Sequence, residues 1–181
     1  MDFYKAKLFI AQVDKNDNVT GKVERWEAHK KGILHRGFTV ALFYGDKIIL
    51  QHRKHPVFDG VYDLTCSSHP YFIREKLQSV EEAVLNCLER EWNGSTYNGV
   101  SIKYKGKAYY KAKDNLSEYQ EHEVCHFYIG QVSPAYRQAG LSPNFDFAYG
   151  FSLLTKKELM NPKLPLKKSF APWVQGCLDL L

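Results

Sequence analysis

The sequence predicts a single α/β domain, and three observations lead there. The chain has 181 residues, 44% of them apolar and 14% aromatic, which suits one domain with a sizeable core. Short apolar runs bounded by Gly, Asp and Asn recur along it, as strands do. One longer stretch, Val80 to Leu88, instead repeats its apolar residues at helical spacing behind a capping signal. No internal repeat or low-complexity segment points to a solenoid.

Leu8–Val13 reads as a strand, residues 14–18 as a turn and Val19–Val23 as the hairpin partner. A short helical stretch follows around Arg25–Lys30. After Gly32, His35 stands at the entrance of the next strand, Phe38–Phe43, whose near-continuous apolarity points to burial on both faces. Gly45-Asp46 turns the chain into Lys47–Arg53, a second hairpin that delivers His52, Arg53 and Lys54 to a strand end. Basic groups there either hold an anion or guard a solvated edge.

Thr65-Cys66-Ser67-Ser68-His69-Pro70 then gathers a thiol, two hydroxyls and an imidazole after an apparent strand. Such density suits a site, although Ser, His and Pro also build ordinary turns. Ser79, three residues before Glu82, opens a helix carrying Val80, Ala83, Val84, Cys87 and Leu88 on one row, with Asn93-Gly94 as the stop. Glu91 is the next member of that row. A carboxylate on a buried stripe requires a basic partner or a bound cation, unless it sits at a frayed last turn and reaches water.

Val100–Tyr104 and Lys107–Lys111 read as strands, and Glu121–Gly130 as another with Glu121, Glu123, Cys125, Phe127 and Ile129 on one face. Carboxylates that close repel, so one is protonated, a cation lies between them, or the strand end is exposed. Phe151–Leu154 reads as a strand, and Thr155 with Glu158 as a second capping box. Phe170–Trp173 opens the last helix, with Pro172 where a helix tolerates it.

Formal net charge is +5 with Lys and Arg spread throughout. That balance favours an anionic small molecule, a phosphorylated one included, over nucleic acid. The four cysteines show no C-x-x-C spacing, which argues against a zinc ribbon and for reduced thiols. The longest apolar runs are too short to cross a bilayer, and Met1–Lys5 lacks a secretory pattern, so the expectation is a cytoplasmic protein without membrane insertion.

Taken together, these pieces resemble the type 1 isopentenyl diphosphate isomerases, members of the Nudix fold. Carrying the resemblance are Glu24-Arg25, Glu27-Ala28-His29, Gly32-Ile33-Leu34-His35-Arg36, Ser67-Ser68-His69-Pro70, Glu81-Glu82-Ala83-Val84 through Glu91, Glu121-His122-Glu123-Val124 and Pro172-Trp173. They run in the family's order from about Leu8 to the end. The resemblance implies a Nudix-type α/β/α sandwich with a mixed β-sheet as one domain over residues 1–181. It also implies an enzyme of isoprenoid biosynthesis that interconverts isopentenyl and dimethylallyl diphosphate.

In that family one divalent metal is held by residues matching His29, His35, His69, Glu121 and Glu123, with Mg²⁺, Mn²⁺ or Zn²⁺ as the ion. A second cation, Mg²⁺, would bridge the substrate diphosphate to Glu91. Arg25, Arg53 and Lys54 would face that diphosphate. Glu123 would give or take a proton, with Tyr110 as its hydrogen-bond partner and Trp173 as a π face for the tertiary carbocation.

The chain departs from the family where the catalytic cysteine belongs, because Ser67 stands there and the adjacent Cys66 would point to the opposite face. A hydroxyl relays protons far less well than a thiol of pKa about 8.5. A weak isomerase, an isomerase recruiting Cys66 through a shifted turn, and a relative with another reaction all stay open. In the Nudix box, Asn86, Cys87 and Arg90 occupy the places of the arginine and first glutamates, and Asn93 that of a glycine; this depletion argues against an ordinary hydrolase. The Lys54–Gly60 loop is also shorter than the family's, with His55 a stand-in for an expected lysine. The alternatives are a Nudix hydrolase of a diphosphate and a silent binder of isoprenoid diphosphates.

Overall fold

Turn chemistry at Asp14 closes the first hairpin. Its Oδ1 accepts the backbone N–H groups of Asn16 and Asn18, both at 2.9 Å, bringing β1 (Phe9–Val13) onto β2 (Val19–Glu24). The computed structural model describes residues 3–92, 100–132 and 140–181. Helix α1 (Arg25–Lys31) starts under the Glu24 side chain, which accepts the Glu27 N–H, and stops at Gly32 with φ 63°, a left-handed turn that glycine adopts freely.

The long strand β3 (His35–Tyr44) turns at Gly45 into β4 (Lys47–Arg53). Two short strands follow, β5 (Tyr62–Asp63) and β6 (Cys66–Ser68), then a small hairpin of β7 (Phe72–Ile73) and β8 (Lys76–Leu77). Helix α2 (Val80–Glu91) begins with the reciprocal Ser79/Glu82 capping box expected of it. Asn93 and Gly94, read as its stop, lie outside the described residues. Strands β9 (Ser101–Lys113), β10 (Gln120–Gln131) and β11 (Ala148–Thr155) complete the sheet. Helix α3 (Lys156–Met160) opens with the Thr155/Glu158 capping box, and α4 (Val174–Leu178) ends the fold.

Strand β3 organises a mixed sheet of nine strands among the described residues. β10 runs parallel to it, from Glu123 beside His35 to Gln131 beside Phe43. β1, β6 and β4 meet β3 antiparallel in succession, at His35, at Phe38–Val40 and at Phe43–Tyr44. Alternation along the strands then sorts side chains to two faces. Phe38, Val40, Leu42, Ile49 and Tyr128 pack on Val84, Cys87 and Leu88 of α2. Ala41, Ile48, Leu50 and Phe127 pack on Leu159 of α3 and on Trp173, Val174 and Leu178. Helices therefore cover both faces, the α/β/α sandwich with a mixed sheet, and each fully buried Leu or Val on them contributes about 1.5–3 kcal/mol.

Two boundaries differ from expectation. The runs 100–104 and 107–111 form one strand, β9, because Gly106 (φ 147°) makes a bulge that lets pairing with β10 slip and continue. The last helix begins after Trp173, so Pro172 lies ahead of it in a turn. Among the described residues no helix is long and apolar enough to cross a membrane.

Thr65 fills the wedge where β3 and β4 diverge. Its Oγ1 accepts the Leu42 N–H at 2.8 Å and donates to the Ile49 carbonyl at 3.1 Å, while its own carbonyl takes the Trp92 indole N–H at 2.9 Å. Thr65→Val keeps the shape and orphans a buried N–H, so thermal or urea unfolding will show a loss of about 1–3 kcal/mol; an unchanged midpoint would refute this role.

Candidate active site

Three elements deliver three imidazoles to one point. His29 comes from the last turn of α1, His35 opens β3, and His69 follows the end of β6. Their ring centroids lie 4.9, 5.0 and 5.1 Å apart. His29 Nδ1 is 2.6 Å from the Arg25 carbonyl and His35 Nδ1 2.7 Å from that of Ile33. Only an N–H can bond a carbonyl, so these contacts place the proton on Nδ1 and turn Nε2 toward the common centre.

β10 brings the acids. Glu121 Oε2 is 3.2 Å from His29 Nε2 and 3.7 Å from His35 Nε2; Glu123 Oε1 is 2.9 Å from His69 Nε2 and 3.5 Å from His35 Nε2. One ligand atom each from His29, His35, His69 and Glu121 falls within 4.8 Å of the others. The three Nε2 atoms and Glu121 Oε2 are buried and lack a hydrogen bond of good geometry. Orphaned polar atoms that converge like this are costly unless something electropositive lies among them. Glu123 borders the group, with its Oε2 taking the Tyr110 hydroxyl at 2.6 Å.

The electrostatics agree with that geometry. Burial works against charge on His35, yet Glu121 and Glu123 outweigh it and lift its pKa to about 10, whereas burial lowers His69 to about 4. Burial and the neighbouring Glu121 push the Glu123 carboxyl up, but His35 and His69 win and hold it down to about 2. Glu121 is held well below the usual range by His29 and His35 despite burial. The pull that draws a proton onto His35 is one that a bound cation would also feel. Gly37 leaves the room required, since a Cβ there would collide with the Glu123 carboxylate.

Beside this cluster lies a narrow cleft whose lining includes His29, Arg53, Ser67, Tyr110, Glu123 and Trp173. Ser67 Oγ is 2.8 Å from Thr39 Oγ1 and accepts the Trp173 indole N–H at 3.1 Å. Cys66 points to the opposite face, into the core with Cys87 under α2. Trp173 packs edge-on to Phe58 and tilted against Tyr110 at 5.7 Å, with the Arg53 guanidinium 5.2 Å from its ring centre.

The charged residues divide. Arg53 is buried, lines the cleft and reaches Asp63 Oδ2 at 3.2 Å. Arg25 also lines it, but its Nη2 donates to the carbonyls of Phe3, Tyr4 and Ala6 at 3.1–3.3 Å. Lys54, expected beside the diphosphate, instead points away and donates to the Phe145 carbonyl at 3.0 Å, because neighbours at a strand end take opposite sides. Nor does His55 offer a cation there: burial and Arg53 hold its pKa well below the usual value. Glu91 is buried apart from the histidine cluster but lines the same cleft, with Oε1 2.7 Å from Arg90 and Oε2 3.1 Å from Gln51. Arg90 is thus its basic partner and a third cleft arginine, one that the amphipathic pattern of α2 conceals.

No protein-family profile matches the chain. It is 30% identical over 147 residues to an isopentenyl-diphosphate Delta-isomerase of Pectobacterium atrosepticum, covering 74% of this chain and 82% of that protein. A protein of the same name from Haloarcula marismortui is 28% identical over 179 residues, covering 94% of this chain and 89% of its own length. Among solved structures, DR0079 from Deinococcus radiodurans superposes with a TM-score of 0.58 at 16% identity, over 83% of this chain and 85% of that one. The NUDIX domain of Shewanella oneidensis NrtR, complexed with ADP ribose, superposes with a TM-score of 0.53 at 18% identity, over 81% and 84%. At such identities the structural likeness concerns the fold, which is Nudix. The sequence relationship is closer and runs through most of both chains, so this chain belongs to the isopentenyl-diphosphate Delta-isomerase family.

Proposed function

We propose that residues 1–181 act as one metal-dependent domain that interconverts isopentenyl and dimethylallyl diphosphate through a tertiary carbocation. The observation that carries this reading is the convergence of His29, His35, His69 and Glu121 on one point, with ligand atoms that make no hydrogen bond of good geometry. Those residues and Glu123 would hold one divalent ion, for which imidazole and carboxylate ligands suit Zn²⁺ or Mn²⁺ as well as Mg²⁺. When bound, the ion supplies positive charge that locks Glu123 in place and ties α1, β3, β6 and β10 together.

The chain's own groups then move the protons. Glu123, gripped by Tyr110, gives or takes one at the substrate, and Ser67 faces the same cleft to handle the other. Trp173 lends its π system to the cationic centre, worth about 2 kcal/mol when desolvated. Arg53, Arg90 and Arg25 offer the positive wall for the diphosphate, with Glu91 on that wall to meet a Mg²⁺ carried in by the substrate.

Hydrolysis is the weaker reading. Along α2, Glu82 is spent on the helix cap, Glu81 accepts the Tyr128 hydroxyl at 2.7 Å and Glu89 is exposed, leaving Glu91 as the α2 glutamate that lines the cleft. Diphosphate hydrolases assemble several carboxylates around metal and water.

Incubation with isopentenyl diphosphate in D₂O, followed by NMR, tests the proposal. Deuterium entering the dimethylallyl product is expected. Phosphate release without deuterium would establish hydrolysis, and binding with neither would establish a silent binder. Ser67→Cys will raise kcat at least tenfold, about 1.4 kcal/mol of barrier; an equal or slower rate would remove Ser67 from the reaction. Gly37→Ala, by displacing Glu123, will lower metal content by mass spectrometry and kcat by about tenfold or more, whereas full metal content and rate would contradict the placement of Glu123.

A further inference from the structure

Asp63 takes no part in the proton transfers or in the histidine cluster, yet it is a fully enclosed carboxylate on β5, paired there with Gln51 of β4. Its two oxygens have separate partners. Oδ2 accepts from the Arg53 guanidinium at 3.2 Å, whereas Oδ1 accepts the Leu64 N–H at 2.7 Å and the Trp173 indole N–H at 2.8 Å. Burial raises the carboxyl above its ordinary value against the pull of Arg53. All three of these partners are donors, which suits the ionised form.

A counter-ion for Arg53 requires Oδ2 alone. The second oxygen reaches a ring that lines the cleft. An indole N–H bonded to a carboxylate is held more firmly than one bonded to a neutral oxygen, and Ser67 Oγ, its other acceptor at 3.1 Å, is neutral. The charge also matters to the ring itself. Hydrogen bonding to an anion polarises the indole and leaves its π face more negative, the property that draws a cation. Arg53 acts the other way, since its guanidinium lies 5.2 Å from the ring centre and draws on the same π electrons. Phe58, edge-on at 5.6 Å, and Tyr110, tilted at 5.7 Å, confine the ring without charge, which leaves Asp63 to offset the guanidinium.

Resting on the isomerase reading given above, we propose that Asp63 is a positioning residue for the carbocation and acts through Trp173. It holds the indole plane by the N–H, makes the π face more negative, and cancels the Arg53 charge that opposes a second cation on that ring. No proton leaves Asp63. The preference created is for a ligand with positive charge at the branched carbon over a neutral ligand of the same shape.

The test uses metal-loaded protein and two ligands of one shape: isopentyl diphosphate, and the diphosphate ester in which a protonated dimethylamino nitrogen replaces the branched carbon. Calorimetry gives the ratio of their affinities. Asp63→Asn is expected to lower the preference for the ammonium ligand about tenfold in the native background and less than about twofold in the Trp173→Phe background, which has a ring but no N–H. An unchanged preference, with or without an equal loss for both ligands, would make Asp63 a structural counter-ion. A lowered preference that persists in Trp173→Phe would mean that the carboxylate acts on the cation without the indole. Either result overturns this inference while leaving the isomerase reading intact. If the product of isopentenyl diphosphate takes up no deuterium with the native protein, the isomerase reading falls and this one with it. Circular dichroism reports whether Asp63→Asn folds. Should it not, Asp63→Ser, which leaves room for water beside Arg53, decides by the same ratios.

Discussion

The parallel pairing of β10 with β3 is the constraint from which the rest of the site follows. It sets Glu123 directly beside His35, and the two-residue period of a strand then puts Glu121 on the same face. A register shift of one residue would send both acids to the α2 side of the sheet, into an apolar core with no imidazole to meet them. That core and the site are therefore opposite sides of one decision. The apolar residues Phe38, Val40 and Leu42 lock the register through packing on α2, and the cluster at the strand ends inherits the precision.

The same alternation explains which of two neighbouring residues reaches the cleft. Cys66 belongs to the α2 core and Ser67 to the cleft wall; Arg53 turns in to Asp63 while Lys54 turns out to the Phe145 carbonyl. A shifted turn that brought Cys66 inward would expose the cleft side of β6 to the core and break its pairing with β3 at Val40. The thiol is near in sequence and unavailable in space. The Ser67 hydroxyl has instead a tryptophan and a threonine around it.

Local signals were the legible ones. Both capping boxes, the turn at Asp14 and the apolar row of α2 depend on residues within a few positions of each other, and their geometry can be read from spacing. Glu121 and Glu123 also declared themselves as a pair, because a strand puts alternate residues together. That three histidines from three separate elements would join them is not visible in any window of sequence; family resemblance suggested the set, and folding draws it together. Asp63 gave no signal, and Arg90 registered only as a departure from the Nudix box, not as a cleft residue. A strand of two residues has no periodicity to display, and Arg90 looks like any solvated helix arginine until the Phe3 and Phe147 rings are seen to cover it. Arg25 was read for its charge, but its Nη2 serves backbone carbonyls of residues 3–6, contacts that only tertiary structure creates.

The central claim is that side chains from α1, β3, β10 and the end of β6 enclose a single divalent ion. Anomalous diffraction at the metal edge, from crystals of the protein grown with that metal, addresses this directly. One peak is expected, about 2.0–2.2 Å from the Nε2 atoms of His29, His35 and His69 and from a Glu121 oxygen. The three rings standing apart, or a peak elsewhere with none among them, would contradict it.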